Sequence, residues 1–114
     1  MIIGGSTVQY LASALRGLDA QREAHEFNIA NVETPGFKAR QVEFTDALRR
    51  AMDTGRVSGD VVTTSTSLEK TRVDGNNVRL DHELLGLEQN ALAQQLVTEA
   101  VNDQFGLIRT ALGR

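Results

Sequence analysis

Two histidines are the side chains of this sequence best suited to acid–base catalysis or metal binding. A helical zinc site needs a second ligand three or four residues from the first, and neither His25 nor His82 has one at that spacing. Acid–base catalysis needs paired groups in a dry pocket, whereas the 15 acidic residues are spread along the chain. We therefore expect a structural role for His25 and a solvent-exposed position at a helix start for His82.

Residues 74–77 (DGNN) carry oxygen atoms of the kind that calcium prefers as ligands. The alternating acidic spacing of a calcium-binding loop is missing from this segment, which favours a simple turn. Gly4-Gly5 follows no predicted strand, so it is not expected to form a phosphate-binding loop. The chain has no cysteine, which excludes disulfides, thiol catalysis and thiolate metal sites. These observations predict a protein without enzymatic activity, cofactor, bound metal or small-molecule substrate.

Length and charge narrow the class of protein further. A chain of 114 residues has room for one domain, which we expect to span residues 1–114. The net charge of −3 and the scattered basic residues disfavour nucleic acid as a partner. No apolar run approaches the roughly 20 residues of a membrane-spanning helix, and residues 1–7 lack the features of a cleaved signal peptide. Composition alone predicts a cytoplasmic protein.

A heptad repeat dominates the N-terminal part of the chain. Its positions recur in steps of three and four residues from Val8 to Val32, which is the spacing of a helix that packs against other helices. Pro35 disfavours helical geometry in the residue before it, so the helix must end near Glu33. We predict a helix over about residues 7–33, roughly 39 Å long. Its apolar seam residues are Val8, Leu11, Leu15, Leu18 and Ile29.

A second repeat of the same kind fills the C-terminal part of the chain. It predicts a helix over residues 81–112, with Asp81 as its N-cap and Gly113 directly after its end. Its seam residues are Leu84, Leu87, Val101, Phe105, Ile108 and Leu112. We expect the two helices to pack antiparallel with these seams facing each other, and part of that contact to lie between copies of the chain.

Residues 34–80, between the two helices, have a more polar composition. Residues 45–53 predict a short helix, while residues 54–77 are rich in glycine, serine, threonine, asparagine and aspartate. A loop of this length with little structure of its own is typically functional or disordered. The predicted fold is therefore all-α, a coiled-coil-like hairpin of two long terminal helices joined by a long polar, partly extended or disordered middle.

The segment that ends the first helix has strong local preferences. The run TPGF at residues 34–37 predicts a type II turn, because proline presets the backbone at the second position and glycine accepts the positive φ of the third. The asparagines in the last helical turn can bond to free helix carbonyls or to a neighbouring chain. Phe37 is expected to project outward beside Lys38 and Arg40. Local chemistry alone fits a well-terminated helix followed by a surface loop.

The same segment resembles the N-terminal motif of the bacterial flagellar basal-body rod and hook family. The matching runs are residues 28–31 (NIAN) and 34–38 (TPGFK), with Phe37 in a position where the family more commonly has tyrosine. Residues 74–78 (DGNNV), 87–92 (LEQNAL) and 105–113 (FGLIRTALG) are similar to the C-terminal half of the family's proximal rod members. The resemblance covers nearly the whole chain and is weakest over residues 50–72.

This resemblance implies a structural subunit of the proximal rod, the drive shaft for motility, which polymerises through its terminal helices. The implied partners are copies of itself, other rod proteins, the base of the rod at the membrane ring and the flagellar type III export apparatus. The implied location is the periplasmic rod of the basal body, reached without a cleaved signal peptide, which departs from the cytoplasmic expectation. The family signature and expected subunit contacts are Asn28, Asn31, Thr34, Pro35, Gly36, Phe37, Lys38 and Arg40.

One alternative from another class of protein fits the heptads equally well. A soluble helical-hairpin adaptor or secretion chaperone would use the same apolar seams to bind an amphipathic helix of its partner. Such a protein would stay inside the cell and would be absent from purified basal bodies.

Overall fold

The computed structural model describes residues 5–54 and 62–113. Within those ranges the elements follow in the order α1 (Gly5–Ala30), β1 (Arg40–Glu43), α2 (Thr45–Thr54), β2 (Thr63–Thr66) and α3 (Leu80–Ala111). The molecule measures 63 × 26 × 14 Å and has a radius of gyration of 17.5 Å, against about 13 Å for a compact domain of this length. The elongation follows from α3, since a helix of 32 residues is about 48 Å long.

The two long helices run antiparallel along each other. Near the middle of α1, the Asn90 side-chain amide donates a hydrogen bond of 2.7 Å to the Leu18 carbonyl oxygen. Two turns further along α1, His25 Nδ1 lies 2.5 Å from Glu83 Oε2. Positions that rise along α1 therefore meet positions that fall along α3, as the sequence predicted. The helices approach closely at Gly86, where a Cβ atom would lie 2.5 Å from the His25 ring.

The stripe of α3 that faces α1 is displaced from the predicted seam. Leu87, Val101 and Ile108 are half-buried as expected, but Leu84 and Phe105 are exposed. Leu112, at the end of the predicted C-terminal seam, is exposed as well. Ala91 and Thr98, which continue the seven-residue spacing between Leu84 and Phe105, are also exposed. Directly before exposed positions 84, 91, 98 and 105 lie Glu83 and Asn90, which are buried, and Val97 and Gln104, which are half-buried.

Specific polar contacts explain this displacement. Glu83 and Asn90 are buried because each has a partner on α1, which removes the cost of burying a polar group. A heptad pattern assigns the interface by apolarity and cannot identify such pairs. On α1, Leu18 is buried, while Val8, Leu11, Leu15 and Ile29 are half-buried. Packing of the remaining seam leucines between copies of the chain stays a prediction.

The all-α prediction missed a small sheet. β1 and β2 pair antiparallel, with Arg40 opposite Thr66 and Glu43 opposite Thr63. The threonine-rich run of β2 has the β-branched side chains that favour extended structure. All four of its residues are polar, so the sequence shows no alternation of apolar and polar residues that would indicate a strand. The predicted extended middle is thus structured over residues 62–79, and residues 55–61 of that prediction lie outside the described residues.

The sheet leads into a short helix that packs against α1. Phe44, directly after β1, is buried against Gly17, where a Cβ atom would lie 2.4 Å from the phenyl ring. α2 covers residues 45–54, whereas the sequence predicted a helix over residues 45–53. The Tyr10 hydroxyl donates to the Ala51 carbonyl at 3.3 Å. The buried apolar residues are Leu18, Ala24, Ala39, Phe44, Ala51 and Val78.

The ends of α3 differ in how well the sequence predicted them. Gly113 follows the helix with a φ of +75°, and its N–H donates to the Thr110 carbonyl at 3.0 Å. At the other end the N-cap is Arg79, in extended geometry and without a side-chain cap. Asp81 lies inside the first turn instead, where a negative charge favours the positive end of the helix.

Candidate functional site

The signature segment, residues 28–40, forms the C-terminal end of α1 and the turn that follows it. The Thr34 N–H donates to the Asn31 carbonyl at 3.0 Å, and the Phe37 N–H donates to the Thr34 carbonyl at 3.2 Å. Gly36 has a φ of +75°, which an L side chain adopts only with strain. A closed four-residue turn with positive φ at its third position is the geometry of a type II turn.

Asn28 fastens the end of α1 to the start of β1. Its side chain is fully buried. The amide oxygen accepts a hydrogen bond of 2.8 Å from the Arg40 N–H, and the amide nitrogen donates one of 3.0 Å to the Arg40 carbonyl. Only a side chain with a donor and an acceptor side by side can satisfy both groups of one residue in this way.

Asn31 also forms hydrogen bonds at the C-terminal end of α1, but it is less buried than Asn28. Its amide nitrogen donates to the Phe27 carbonyl at 2.9 Å, one turn back along α1. Its amide oxygen accepts from the Thr34 hydroxyl at 3.1 Å. Asn31 is half-buried, in contrast to Asn28, so water can replace these bonds.

A second asparagine pair, absent from the predicted site, comes from the segment just before α3. Asn76 is fully buried, and its amide nitrogen donates to the carbonyls of Asn31 and Thr34, both at 2.8 Å. Both carbonyls lie just beyond the end of α1, and each also accepts one bond within the turn, from the N–H groups of Thr34 and Phe37. The amide oxygen accepts from the Val78 N–H at 2.7 Å. Asn76 therefore caps α1 from a position 45 residues away in sequence.

Asn77 connects the same segment to the sheet. Its amide oxygen accepts a hydrogen bond of 2.6 Å from the Ala39 N–H. Its amide nitrogen donates to the carbonyls of Ser67 and Glu69, each at 3.1 Å. Residues 74–77 resemble the family and were expected to form a turn, but nothing in a single sequence shows which distant backbone an asparagine will reach.

Further bonds fix residues 72–75 against the turn. The Gly36 N–H donates to the Asp74 carbonyl at 2.8 Å. Arg72 donates through Nη1 to the Val78 carbonyl at 2.8 Å and through Nη2 to the Val32 carbonyl. Lys38 Nζ donates to the Gly36 carbonyl at 3.3 Å and to the Gly75 carbonyl. Two segments distant in sequence thus form one hydrogen-bonded unit.

Phe37 does not project outward as predicted. Its ring is half-buried and lies 5.6 Å from the Phe27 ring, centroid to centroid, at an angle of 45°. The Arg40 guanidinium lies over the other aromatic ring of this pair, 3.8 Å from the Phe27 centroid, in cation–π geometry. The turn directs the ring back toward α1, because two apolar rings in contact expose less surface to water than two separate ones. The exposed surface here is therefore a mixed aromatic and basic patch.

A cleft of about 330 Å³ lies beside the unit, between α1, β1 and the start of α3. Its lining includes the His25–Glu83 pair, with His82 and Arg79 also on its wall. Across the described ranges, 5–54 and 62–113, no three histidine, cysteine or carboxylate side chains are grouped so as to hold a metal ion. In the same ranges no helix has the length and apolarity needed to cross a membrane.

The structure thus separates the predicted site residues into two groups. Asn28, Asn31, Thr34, Phe37, Lys38 and Arg40 come together with residues 72–78, mainly through bonds within the chain. The seam residues lie along the helices instead. Pro35 and Gly36 are exposed at the tip of the turn. Chemically, this arrangement holds separate backbone segments in fixed positions relative to one another.

Several known proteins that are similar to this chain have the same name. No family model matches the chain. The chain is 30% identical to the flagellar basal body rod protein FlgB of Bacillus subtilis (strain 168), over 98% of this chain and 97% of that protein. It is 33% identical to the protein of the same name from Yersinia enterocolitica, over 68% and 73% of the two chains. The identity to its namesake in Escherichia coli (strain K12) is 32%, over 77% and 80%.

Proposed function

Because this chain belongs to the family of the flagellar basal body rod protein FlgB and is a structural component of the flagellar basal body, we propose that it builds the proximal rod by polymerising. In this proposal the terminal helices and the signature segment carry the contacts between subunits. The chain acts as a structural subunit and catalyses no reaction.

The observation that carries this proposal is apolar surface left uncovered on α3. Leu84, Leu85, Leu92 and Leu96 are each at least half exposed, although the opposite side of the same helix is covered by α1. Contiguous exposed apolar surface on a protein typically marks a site of interaction with another protein or a membrane. A subunit that assembles along an axis would cover such surface with neighbouring chains.

The elongated form supports the same proposal. A molecule 63 Å long and 14 Å thick exposes much of its helix surface, and side-by-side packing of such molecules buries that surface efficiently. A rod requires head-to-tail contacts, so each chain must present two different complementary surfaces. The signature segment, at one end of the helices, and the exposed leucines of α3 are two different surfaces available for such contacts.

The finer assignments of partner extend this proposal. We place copies of the chain and other rod proteins against the seam and signature residues, with Phe37 in the contact and Lys38 and Arg40 at its edge. The base of the rod at the membrane ring and the flagellar type III export apparatus complete the set of partners. Export through that apparatus would bring the chain to the periplasmic rod.

A deletion experiment tests the proposal. Removing the gene from a motile bacterium should abolish flagella, and the full-length chain supplied in trans should restore them and be found in purified basal bodies. The control is a soluble cytoplasmic protein followed through the same purification. Recovery of the chain only in the soluble fraction, with flagella unaffected by the deletion, would refute the rod assignment and favour the adaptor.

A further inference from the structure

Two aliphatic side chains in the loop between β2 and α3 are almost completely exposed. Leu68 is 98% exposed and Val73 is fully exposed. Leucine and valine gain about 1.5–3 kcal/mol each when buried, so an exposed pair this close in sequence is costly unless a partner covers it. Lys70 lies between them and is also exposed. Within residues 5–54 and 62–113, the Lys70 ammonium forms no ion pair.

The backbone that carries these side chains is fixed rather than free. Asn77 holds the carbonyls on either side of Leu68, those of Ser67 and Glu69. The Arg72 N–H, directly before Val73, donates to the Asn76 carbonyl at 2.8 Å. A binding segment that is already held in place loses less conformational entropy when it docks. The loop therefore presents a preorganised apolar pair.

A complementary surface lies on the outer side of α3. Leu85, Leu92 and Leu96 follow one another at spacings of seven and four residues, which places them in one row along the helix. Leu92 lies two residues beyond buried Asn90 and so nearly opposite it around the helix, away from α1. The three side chains of this outer leucine row are 54%, 63% and 67% exposed.

Acidic side chains border the outer leucine row, and the loop carries both signs of charge: Arg72 pairs with Asp74, while Glu69 and Lys70 are exposed. Glu88 and Glu99 lie beside the outer leucine row and are exposed. In the described part of the chain neither forms an ion pair. Lys70 lies between the two exposed aliphatic residues of the loop. Opposite charges at the edge of an apolar contact favour the correct partner and orientation.

We propose that Leu68 and Val73 of one copy of this chain dock onto the outer leucine row of the next copy, with Lys70 facing Glu88 or Glu99. The inference rests on the proposed rod function and names the contact that would serve it. The two surfaces are different, so the contact is heterologous and can repeat from copy to copy without closing. A groove of about 360 Å³ along α1 and α3, bordered by Leu85 and floored by Gly86 and Leu18, offers space next to the row.

Disulfide crosslinking tests this contact directly, because the chain has no cysteine of its own. The full-length Leu68→Cys/Leu92→Cys variant is expressed in a motile bacterium whose own gene has been deleted. Its basal bodies are purified, oxidised and separated without reducing agent. A disulfide forms only between residues whose Cα atoms lie within about 7 Å. The expected result is a ladder at multiples of 12.4 kDa.

The matched control pairs Leu68→Cys with Arg49→Cys, since Arg49 is exposed on α2, outside both surfaces. It should give no ladder. A ladder of equal strength in the control, a bond within single chains, or no bond at all would overturn the docking contact while the chain's presence in basal bodies upholds the rod function. Absence of the unsubstituted chain from basal bodies would refute both proposals.

A substitution gives an independent readout. Leu92→Asp should reduce the amount of chain recovered in basal bodies by about tenfold or more, because it removes an apolar contact from the interface. It should leave the urea unfolding midpoint of the isolated chain unchanged, since Leu92 is exposed there. Asn102→Asp, at an exposed position of α3 outside the row, should change neither quantity. Normal recovery of the Leu92→Asp chain would contradict the proposal.

Discussion

Replacing Asn28 by alanine tests whether the signature segment is held together from inside the chain. Asn28 is fully buried and bonds both polar groups of the Arg40 backbone, at 2.8 and 3.0 Å. The alanine variant removes both partners at once. Water cannot easily replace them, because the site is closed off between α1 and β1. The Arg40 N–H and carbonyl, whose bonds to Asn28 are part-buried, would then face the closed-off side without hydrogen bonds.

The expected loss of stability follows from those two groups. An unsatisfied buried backbone group costs about 1–3 kcal/mol, so the pair gives roughly 2–6 kcal/mol before any relaxation. Alanine favours the helix more than asparagine does by a few tenths of a kcal/mol, which offsets a little of this loss. We expect a net loss of about 2–4 kcal/mol, a large part of the 5–15 kcal/mol typical of a domain.

The same helix end provides a matched control. Asn31→Ala removes an asparagine of the same size three residues further on, but its partners Phe27 and Thr34 remain open to water. Its cost should stay below about 1 kcal/mol. Urea unfolding of the purified chains, followed by far-UV circular dichroism, gives both differences in the free energy of unfolding.

A third variant separates hydrogen bonding from loss of volume. Asn28→Asp keeps the shape but turns the donor into an oxygen that faces the Arg40 carbonyl and adds a buried charge. It should destabilise the chain at least as much as Asn28→Ala. The reasoning fails if Asn28→Ala costs no more than Asn31→Ala, or if Asn28→Asp is as stable as the unsubstituted chain.

Five further substitutions, at four positions, have expected outcomes in the same unfolding assay. Gly17→Ala should destabilise by about 1–3 kcal/mol, because its Cβ would lie 2.4 Å from the Phe44 ring. At Gly106 an added Cβ would meet only the Arg109 side chain, at 3.9 Å, so Gly106→Ala should instead stabilise by about 0.5–1 kcal/mol. A change in stability of the same sign in both variants would contradict the packing. Gly36→Val should cost about 1–3 kcal/mol through the φ of +75°, whereas Gly36→Asn, which tolerates that region, should cost less. Leu87→Asp should lose more than about 1 kcal/mol, since the half-buried side chain faces α1; unchanged stability would count against that orientation.

The long helices could be predicted from the sequence because their signals are local and repeated. The predicted ranges of about 7–33 and 81–112 compare with Gly5–Ala30 and Leu80–Ala111 in the structure. Heptad spacing, a proline after the first helix and a glycine after the second each act within a few residues. The positive φ of Gly36 has the same origin, since the turn around it needs no distant partner.

The parts that the sequence did not predict depend on distant partners. Asn76 and Asn77 have the composition of an ordinary turn, yet their amides bond backbone groups 38 to 45 residues away. Glu83 is a charged residue within an apolar repeat, so the pattern predicts that it is exposed to solvent. The burial of Glu83 is favourable because its carboxylate contacts His25 on the other helix. Periodicity assigns faces by average apolarity and cannot identify a single pair of polar side chains that belongs inside.

These distant bonds connect the folding of the signature segment to the pairing of the helices. Asn76 and Asn77 lie within four residues of the start of α3, so their bonds to the end of α1 and to the Ala39 N–H bring the start of α3 beside α1. Closing a loop of about 40 residues is entropically unfavourable until the contacts beyond it form. A chain with α3 unpaired would therefore leave the carbonyls of Asn31 and Thr34 without their cap. The exposed pair Leu68 and Val73 would lose its fixed position in the same state, because Asn77 holds the backbone that carries it. The surface that we assign to docking thus exists only in the paired chain, which makes helix pairing a condition for assembly.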